Sequence, residues 1–154
     1  MMLVEAQKLS EEVIKILSPF CSKIEVAGSI RRKKDECRDV DIVLIPKPLV
    51  DIVGLLQGKM QAKVEKQGKL IISLKIGDVG VDLNLATKEN FASLLLWRTG
   101  SWQHNMKLAT KAKQKGLKFS PYGVFKDEKR IDDNTEEGIF SALGEDYIPP
   151  EERG

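Results

Sequence analysis

Apolar residues recur at Val4, Ala6, Leu9, Val13, Ile14 and Leu17, a helical spacing, so residues 3–17 are expected to form an amphipathic helix with Pro19 just beyond its end. Residues 23–27 read as a short strand running into Gly28. Residues 40–45 form a run of branched apolar side chains stopped by Pro46, too short for a helix and suited to a buried strand. A helix is expected over 49–56, with Pro48 near its first turn and Gly58 after it. Residues 70–76 and 79–86 read as two strands joined at Gly77-Asp78, a hairpin signal. The pattern changes near Thr87. Residues 89–97 and 101–115 have helical spacing and are parted by Thr99-Gly100, with Ser101 as N-cap and Gly116 as terminator. Short strands are expected at 117–119 and 124–125, followed by a charged turn. Asn134 or Thr135 caps a last helix reaching Leu143, and the tail over 148–153 is expected to be irregular. The fold class that follows is α+β: a lobe with a mixed β-sheet and flanking helices over 1–87, then a small, mostly helical lobe over 88–154.

Composition changes this picture little. The 154 residues are 42% hydrophobic and 31% charged, as expected of a soluble globular chain able to bury a core without disulfides. Cys21 and Cys37 lack a metal-ligand pattern, and the one histidine, His104, cannot complete a zinc site with them. The N-terminus meets charge at Glu5, unlike a signal peptide, and no apolar run is long enough to span a membrane. A cytoplasmic, non-secreted protein is expected. Net charge is only +2, but its distribution is uneven: between residues 90 and 126 there is no acid, against Arg98, Lys107, Lys111, Lys113, Lys115, Lys118 and Lys126. This suits either a polyanionic partner for the second lobe or a solvated basic helix face.

The candidate chemistry lies in the first lobe. Asp39 and Asp41, two apart on a strand, would share one face and repel each other unless a cation lay between them. Mg²⁺ is the natural cation, since it prefers carboxylate oxygens and leaves positions for phosphate. Asp82 is a third candidate, on the face of its strand opposite Val79, Val81, Leu83 and Leu85. Three such acids could hold two ions for in-line phosphoryl transfer, although Asp-x-Asp alone is equally a pair of surface acids. Gly28-Ser29 at a strand end allows close backbone approach to a phosphate, and Arg31 and Arg32 offer guanidinium forks, or else a solvated basic turn. The combination is far rarer than its parts.

Gly28-Ser29-Ile30-Arg31-Arg32 followed by Asp39-Val40-Asp41-Ile42-Val43-Leu44 resembles the nucleotidyltransferase signature of the family X, or polymerase beta-like, DNA polymerases. Val81-Asp82-Leu83 resembles the strand that bears the family's third catalytic aspartate, and Thr99-Gly100-Ser101 with His104-Asn105 resembles the thumb segment that holds the nascent base pair. The ending, from Gly138-Ile139-Phe140 to Tyr147-Ile148-Pro149-Pro150-Glu151, is similar to the family's C-terminus. The resemblance implies a palm over 1–87 and a thumb over 88–154, a minimal form without lyase or fingers modules. It implies dNTP addition to a primer 3′ end on a template, gap-filling repair, and a monomer acting on primer-template DNA in the cytoplasm, at a nucleoid or in a virus. Asp39, Asp41 and Asp82 would be the catalytic metal ligands for two Mg²⁺ ions, with Mn²⁺ able to substitute. Gly28, Ser29, Arg32, Trp97, Gly100 and Asn105 would line the nucleotide site, and Arg98, Lys107 and Lys111 would meet DNA. Otherwise Trp97 and Trp102 would be expected in the core. Arg98 departs from the family's aromatic pair before Thr-Gly-Ser, and Asn84 stands where vertebrate members carry arginine. Two further readings stay open: a template-independent transferase acting on an RNA or DNA end or a small molecule, and a catalytically silent nucleic-acid-binding module.

Overall fold

A computed structural model describes residues 1–154. Helix α1 (Leu3–Leu17) buries Ala6, Ser10, Val13 and Leu17, the face its apolar spacing marks out. A 3-10 turn through Pro19 then feeds strand β1 (Cys21–Val26). The single helical turn α2 (Gly28–Arg31) follows, and the chain returns as β2 (Val40–Pro46). Helix α3 (Ile52–Met60) begins three residues later than its apolar pattern suggests. Asp51 caps it by accepting from the Gly54 amide, Leu49 is held outside it at φ 65°, and Gly58 lies within it. Strand β3 (Lys63–Gln67) has no counterpart in the sequence pattern: all five residues are exposed, so it carries no alternation to detect. Strands β4 (Ile71–Ile76) and β5 (Val79–Leu85) form the expected hairpin through Gly77.

The five strands are ordered β1-β2-β5-β4-β3, with β2 and β5 parallel and the rest antiparallel, a mixed sheet. On one face Val40, Ile42, Leu44, Ile72, Leu74, Val81 and Leu83 pack with α1 and α3 into the main core. On the other face Ala27 and Val43 pack against Phe91, Leu94 and Leu95 of helix α4 (Phe91–Thr99). The opposite side of α4 contributes Ala92 and Leu96 to a second core, with helix α5 (Trp102–Gln114), strands β6 (Lys118–Ser120) and β7 (Gly123–Lys126), and helix α6 (Glu136–Ala142). The expected charged turn, Asp127-Glu128, closes a hairpin from β7 onto a further two-residue strand, β8 (Lys129–Arg130). Ser101 and Thr135 cap α5 and α6 as their positions in the sequence suggest.

The tail, expected to be irregular, makes a 3-10 turn over Pro150–Glu152 and is anchored beyond it. Arg153 is 1% exposed, and its backbone carbonyl accepts from the Ser101 amide at 3.0 Å. Its guanidinium donates to Glu136 Oε1 at 3.1 Å, while Arg31 donates to both Glu136 oxygens at 2.7 and 3.0 Å. Burial pushes the Glu136 carboxyl up, but hydrogen bonds and charge from Arg31 and Arg153 outweigh it and hold the group below the ordinary glutamate range. Arg31 also donates to Thr99 Oγ1 at 2.9 Å, so α2 is tied to the ends of α4 and α6 together. Removing the central acid strands a buried guanidinium. Glu136→Ala should therefore cost about 3 kcal/mol in urea unfolding; a loss under about 1 kcal/mol would show that the clasp contributes little.

Candidate active site

Strand register assembles the acids. Asp41 of β2 pairs laterally with Asp82 of β5, so both side chains project from the face of the sheet opposite α1 and α3. Asp39 lies one bend before β2. Two glycines leave space for these carboxylates. A Cβ on Gly28 would stand 2.4 Å from Asp41 Oδ2, and one on Gly80 would stand 2.8 Å from Asp39 Oδ1. Gly28 also adopts φ +62°, so the chain turns from β1 into α2 where a side chain would be strained. The Ala27 amide donates to the Asp41 carbonyl at 2.7 Å, holding that turn against β2.

The cleft in front of Asp39 and Asp41 has a volume of about 380 Å³. Gly28, Ser29, Arg32, Trp97, Arg98, Gly100 and Asn105, all singled out by sequence, lie on its walls with the two acids. Arg38 and Trp102 are additions. Trp102 is 71% exposed, which corrects the expectation of core packing; Trp97 is half-buried and meets Phe119 edge-on at 5.3 Å. Trp102 is the first residue of α5, where its side chain escapes the core beneath that helix. Arg38 has no recognisable signal in the sequence beyond its charge. Lys107 and Lys111 lie away from the cleft, along a groove on the outer face of α5, and Lys111 pairs with Glu145 at 3.2 Å. Asn84 is buried and donates to the Ile42 carbonyl at 3.0 Å, which anchors β5 to β2 behind the acids.

The two arginines of α2 divide their work. Arg31 faces Glu136, whereas Arg32 faces the cleft and donates to the Thr99 carbonyl at 2.6 Å, with its Nε–H left without a partner. Arg98 Nε, also buried, is likewise free to donate. Asn105 donates to the Trp97 carbonyl at 2.7 Å, which leaves its Oδ1 free. The cleft therefore offers unused guanidinium donors beside concentrated negative charge, a pairing suited to an anion brought in with cations.

No trio of His, Cys, Asp or Glu side chains converges on a single point. The case for a cation rests on charge. Burial first, then the neighbouring Asp82 and Asp39 charges, push the Asp41 carboxyl from its ordinary 3.8 up to about 6, although Arg98 and Arg32 pull it down. A carboxylate whose ionisation is disfavoured by burial and by neighbouring acids is a hard-oxygen donor fit for a divalent ion.

Residues 94–154 match the family model for the DNA polymerase beta thumb. The chain is 28% identical over 159 residues to the DNA polymerase/3′-5′ exonuclease PolX of Bacillus subtilis, covering 96% of this chain and 27% of that protein. It is 28% identical over 152 residues to a repair DNA polymerase X of African swine fever virus, covering 92% of this chain and 86% of the viral one. Human DNA-directed DNA/RNA polymerase mu is 38% identical over 79 residues, covering 49% of this chain and 16% of that enzyme. The chain thus spans about a quarter of the bacterial relative and most of the viral one. Its fold is that of Leishmania infantum polymerase beta, solved as a ternary P/T complex, with a TM-score of 0.84, 22% identity, and coverage of 100% of this chain and 76% of that one.

The raised Asp41 pKa gives a pH dependence. A carboxyl whose folded pKa lies above its unfolded value stabilises the fold below about 3.8, and this contribution is lost as pH rises through about 6. Without divalent ions, Asp41→Asn should therefore stabilise the protein at pH 8 by about 2 kcal/mol and have little effect at pH 4. Urea melts in chelator at the two pH values check this; equal effects at both would refute the assignment. The signature around β2, the paired acids and the matched thumb lead to one conclusion: the chain is similar to the family X, polymerase beta-like DNA polymerases, in its thumb model over residues 94–154, in sequence to repair polymerases over most of its length, and in fold throughout.

Proposed function

We propose that this chain adds deoxynucleotides to a primer 3′ end under the direction of a template strand, in gap-filling repair, with two Mg²⁺ ions. The lateral pairing of Asp41 with Asp82, beside a cleft shared by Asp39, Ser29 and Arg32, carries this reading. The named activities of the relatives, repair DNA polymerase among them, support it.

In this reading Asp39, Asp41 and Asp82 would hold the two cations, with Asp82 on the side of the primer end. When bound, the divalent ions neutralise charge on the carboxylates and the triphosphate and favour ionisation of the primer hydroxyl. Ser29 Oγ and the free Arg32 Nε–H donate to triphosphate oxygens and hold the leaving group in line. Asp82 accepts the proton of the 3′ hydroxyl as its oxygen bonds to the α-phosphorus, and the bond to the β-phosphate oxygen breaks to release pyrophosphate. Gly28 leaves the triphosphate room to approach the backbone. Gly100, Trp97 and Asn105 border the sugar and base, while Arg98 stands where an aromatic is usual in the family. Residues 1–87 act as palm and 88–154 as thumb, with Lys107 and Lys111 meeting duplex phosphates along α5.

Extension of a labelled primer, with and without template, by each dNTP or NTP and Mg²⁺ or Mn²⁺ tests the proposal. Template-matched extension is expected. Extension that ignores the template would identify a terminal transferase, and DNA binding without extension a silent module. Asp82→Ala should abolish extension while DNA binding persists; a variant that still extends primers removes Asp82 from the chemistry.

A further inference from the structure

Strand register fixes two of the three acids. Asp41 and Asp82 stand opposite each other in β2 and β5, where neighbouring strands hold the backbone on both sides. Asp39 has no such support. It lies one bend before β2, at the end of the largely exposed connection that leaves α2. Its carboxylate rests against the bare backbone of Gly80, where a Cβ would stand 2.8 Å from Oδ1. The placement of Asp39, and of Arg38 beside it in the cleft, is therefore set by whatever holds that connection.

The connection is clamped by the residues that open α1. The Cys37 amide donates to the Met1 carbonyl at 2.8 Å, and the Leu3 amide donates to the Asp35 carbonyl at 3.0 Å. Between these two bonds Met2 and Glu36 stand opposite each other as an antiparallel bridge, and no other strand pairing reaches residues 35–39. Helix α1 has no capping side chain, so the Leu3 N–H, one of the amides a helix leaves unpaired, is satisfied by the connection itself. The same helix is fixed to the sheet through Ala6, Val13 and Leu17, and the Cys37 side chain is buried in that core. A firm reference thus reaches within two residues of Asp39. If the pairing served only to cap α1, its loss would lower stability and leave cation binding untouched.

We propose that the backbone of residues 1–3 is a positioning element for Asp39: by clamping residues 35–37 it holds the carboxylate where it shares a divalent cation with Asp41. The inference rests on the reading that these acids hold divalent ions. The working group is the Leu3 N–H and not the Leu3 side chain. Linkage adds a reciprocal requirement, since a cation that draws on an ordered Asp39 must itself stabilise the clamp.

Titration with Mn²⁺, followed by the EPR signal of the free ion, measures cation binding without turnover. Leu3→Pro deletes the N–H at the first position of a helix, where proline is well tolerated. Met2 before it is extended, at φ −71° and ψ 153°, as proline requires of its predecessor. Leu3→Ala shortens the same side chain and keeps the N–H. Leu3→Pro should weaken Mn²⁺ binding by about tenfold, as losing a group that orients a metal ligand does, while Leu3→Ala binds like the parent. In primer extension Leu3→Pro should need about tenfold more Mn²⁺ for its half-maximal rate and reach the parent kcat at saturation. Unweakened binding by Leu3→Pro, or equal weakening by both variants, overturns the proposal. A measurement on the parent alone covers a Leu3→Pro chain that does not fold: Mg²⁺ should slow amide hydrogen exchange at Leu3 and Cys37, and unchanged exchange there also overturns it. A parent that binds Mn²⁺ but extends no primer ends the polymerase reading and leaves the clamp standing, whereas a parent that binds no Mn²⁺ ends both.

Discussion

Glu136 is the point on which the two lobes depend. It is 8% exposed and held by one arginine from the turn after β1 and another from the last residues of the sequence. Neither guanidinium could stay buried there alone, and the carboxylate could not either. Each charge is tolerable only while all three are assembled, so the clasp selects one relation between α2, the end of α4 and the start of α6. The cleft depends on that relation. Arg32, next along α2, reaches the Thr99 carbonyl beside Gly100, and Gly100 and Ser29 then border the same site. Adjacent arginines thus differ: Arg31 is consumed in structure, and Arg32 keeps a donor without a partner.

Much of this was legible in the sequence because the signals were local. The apolar stripe of α1, the branched run of β2, the Gly77 turn and the Ser101 cap each declare an element within a few residues. The acids and the Gly28-Ser29 turn were legible because their order along the chain is itself a rare pattern. What stayed hidden depended on distance or on solvent. Arg31 and Glu136 are 105 positions apart, and nothing near Arg31 distinguishes a structural arginine from a phosphate-binding one. Strand β3 has no buried side chain and is recognisable only by its pairing with β4. Trp102 looks apolar in composition, yet its place at the start of α5 turns it outward.

The charge pattern also takes on a sharper form in three dimensions. A net charge of +2 conceals a strongly divided surface. Burial and the charges of Asp82 and Asp39 raise the proton affinity of Asp41, while Arg98 and Arg32 pull it down without cancelling the effect and Arg38 lines the same cleft. Such a site is poorly satisfied by protein groups alone, and its free guanidinium donors and crowded carboxylates call for ligands of both signs together.

Helix α4 belongs to two cores. Phe91, Leu94 and Leu95 serve the five-stranded sheet, while Ala92 and Leu96 serve the core beneath α5 and α6. A unit that lost this helix would expose an apolar face whichever lobe retained it. The two lobes should therefore share their melting as well as their cleft: a single cooperative loss of order is expected, and a cut near residue 87 would yield two sticky fragments instead of two domains.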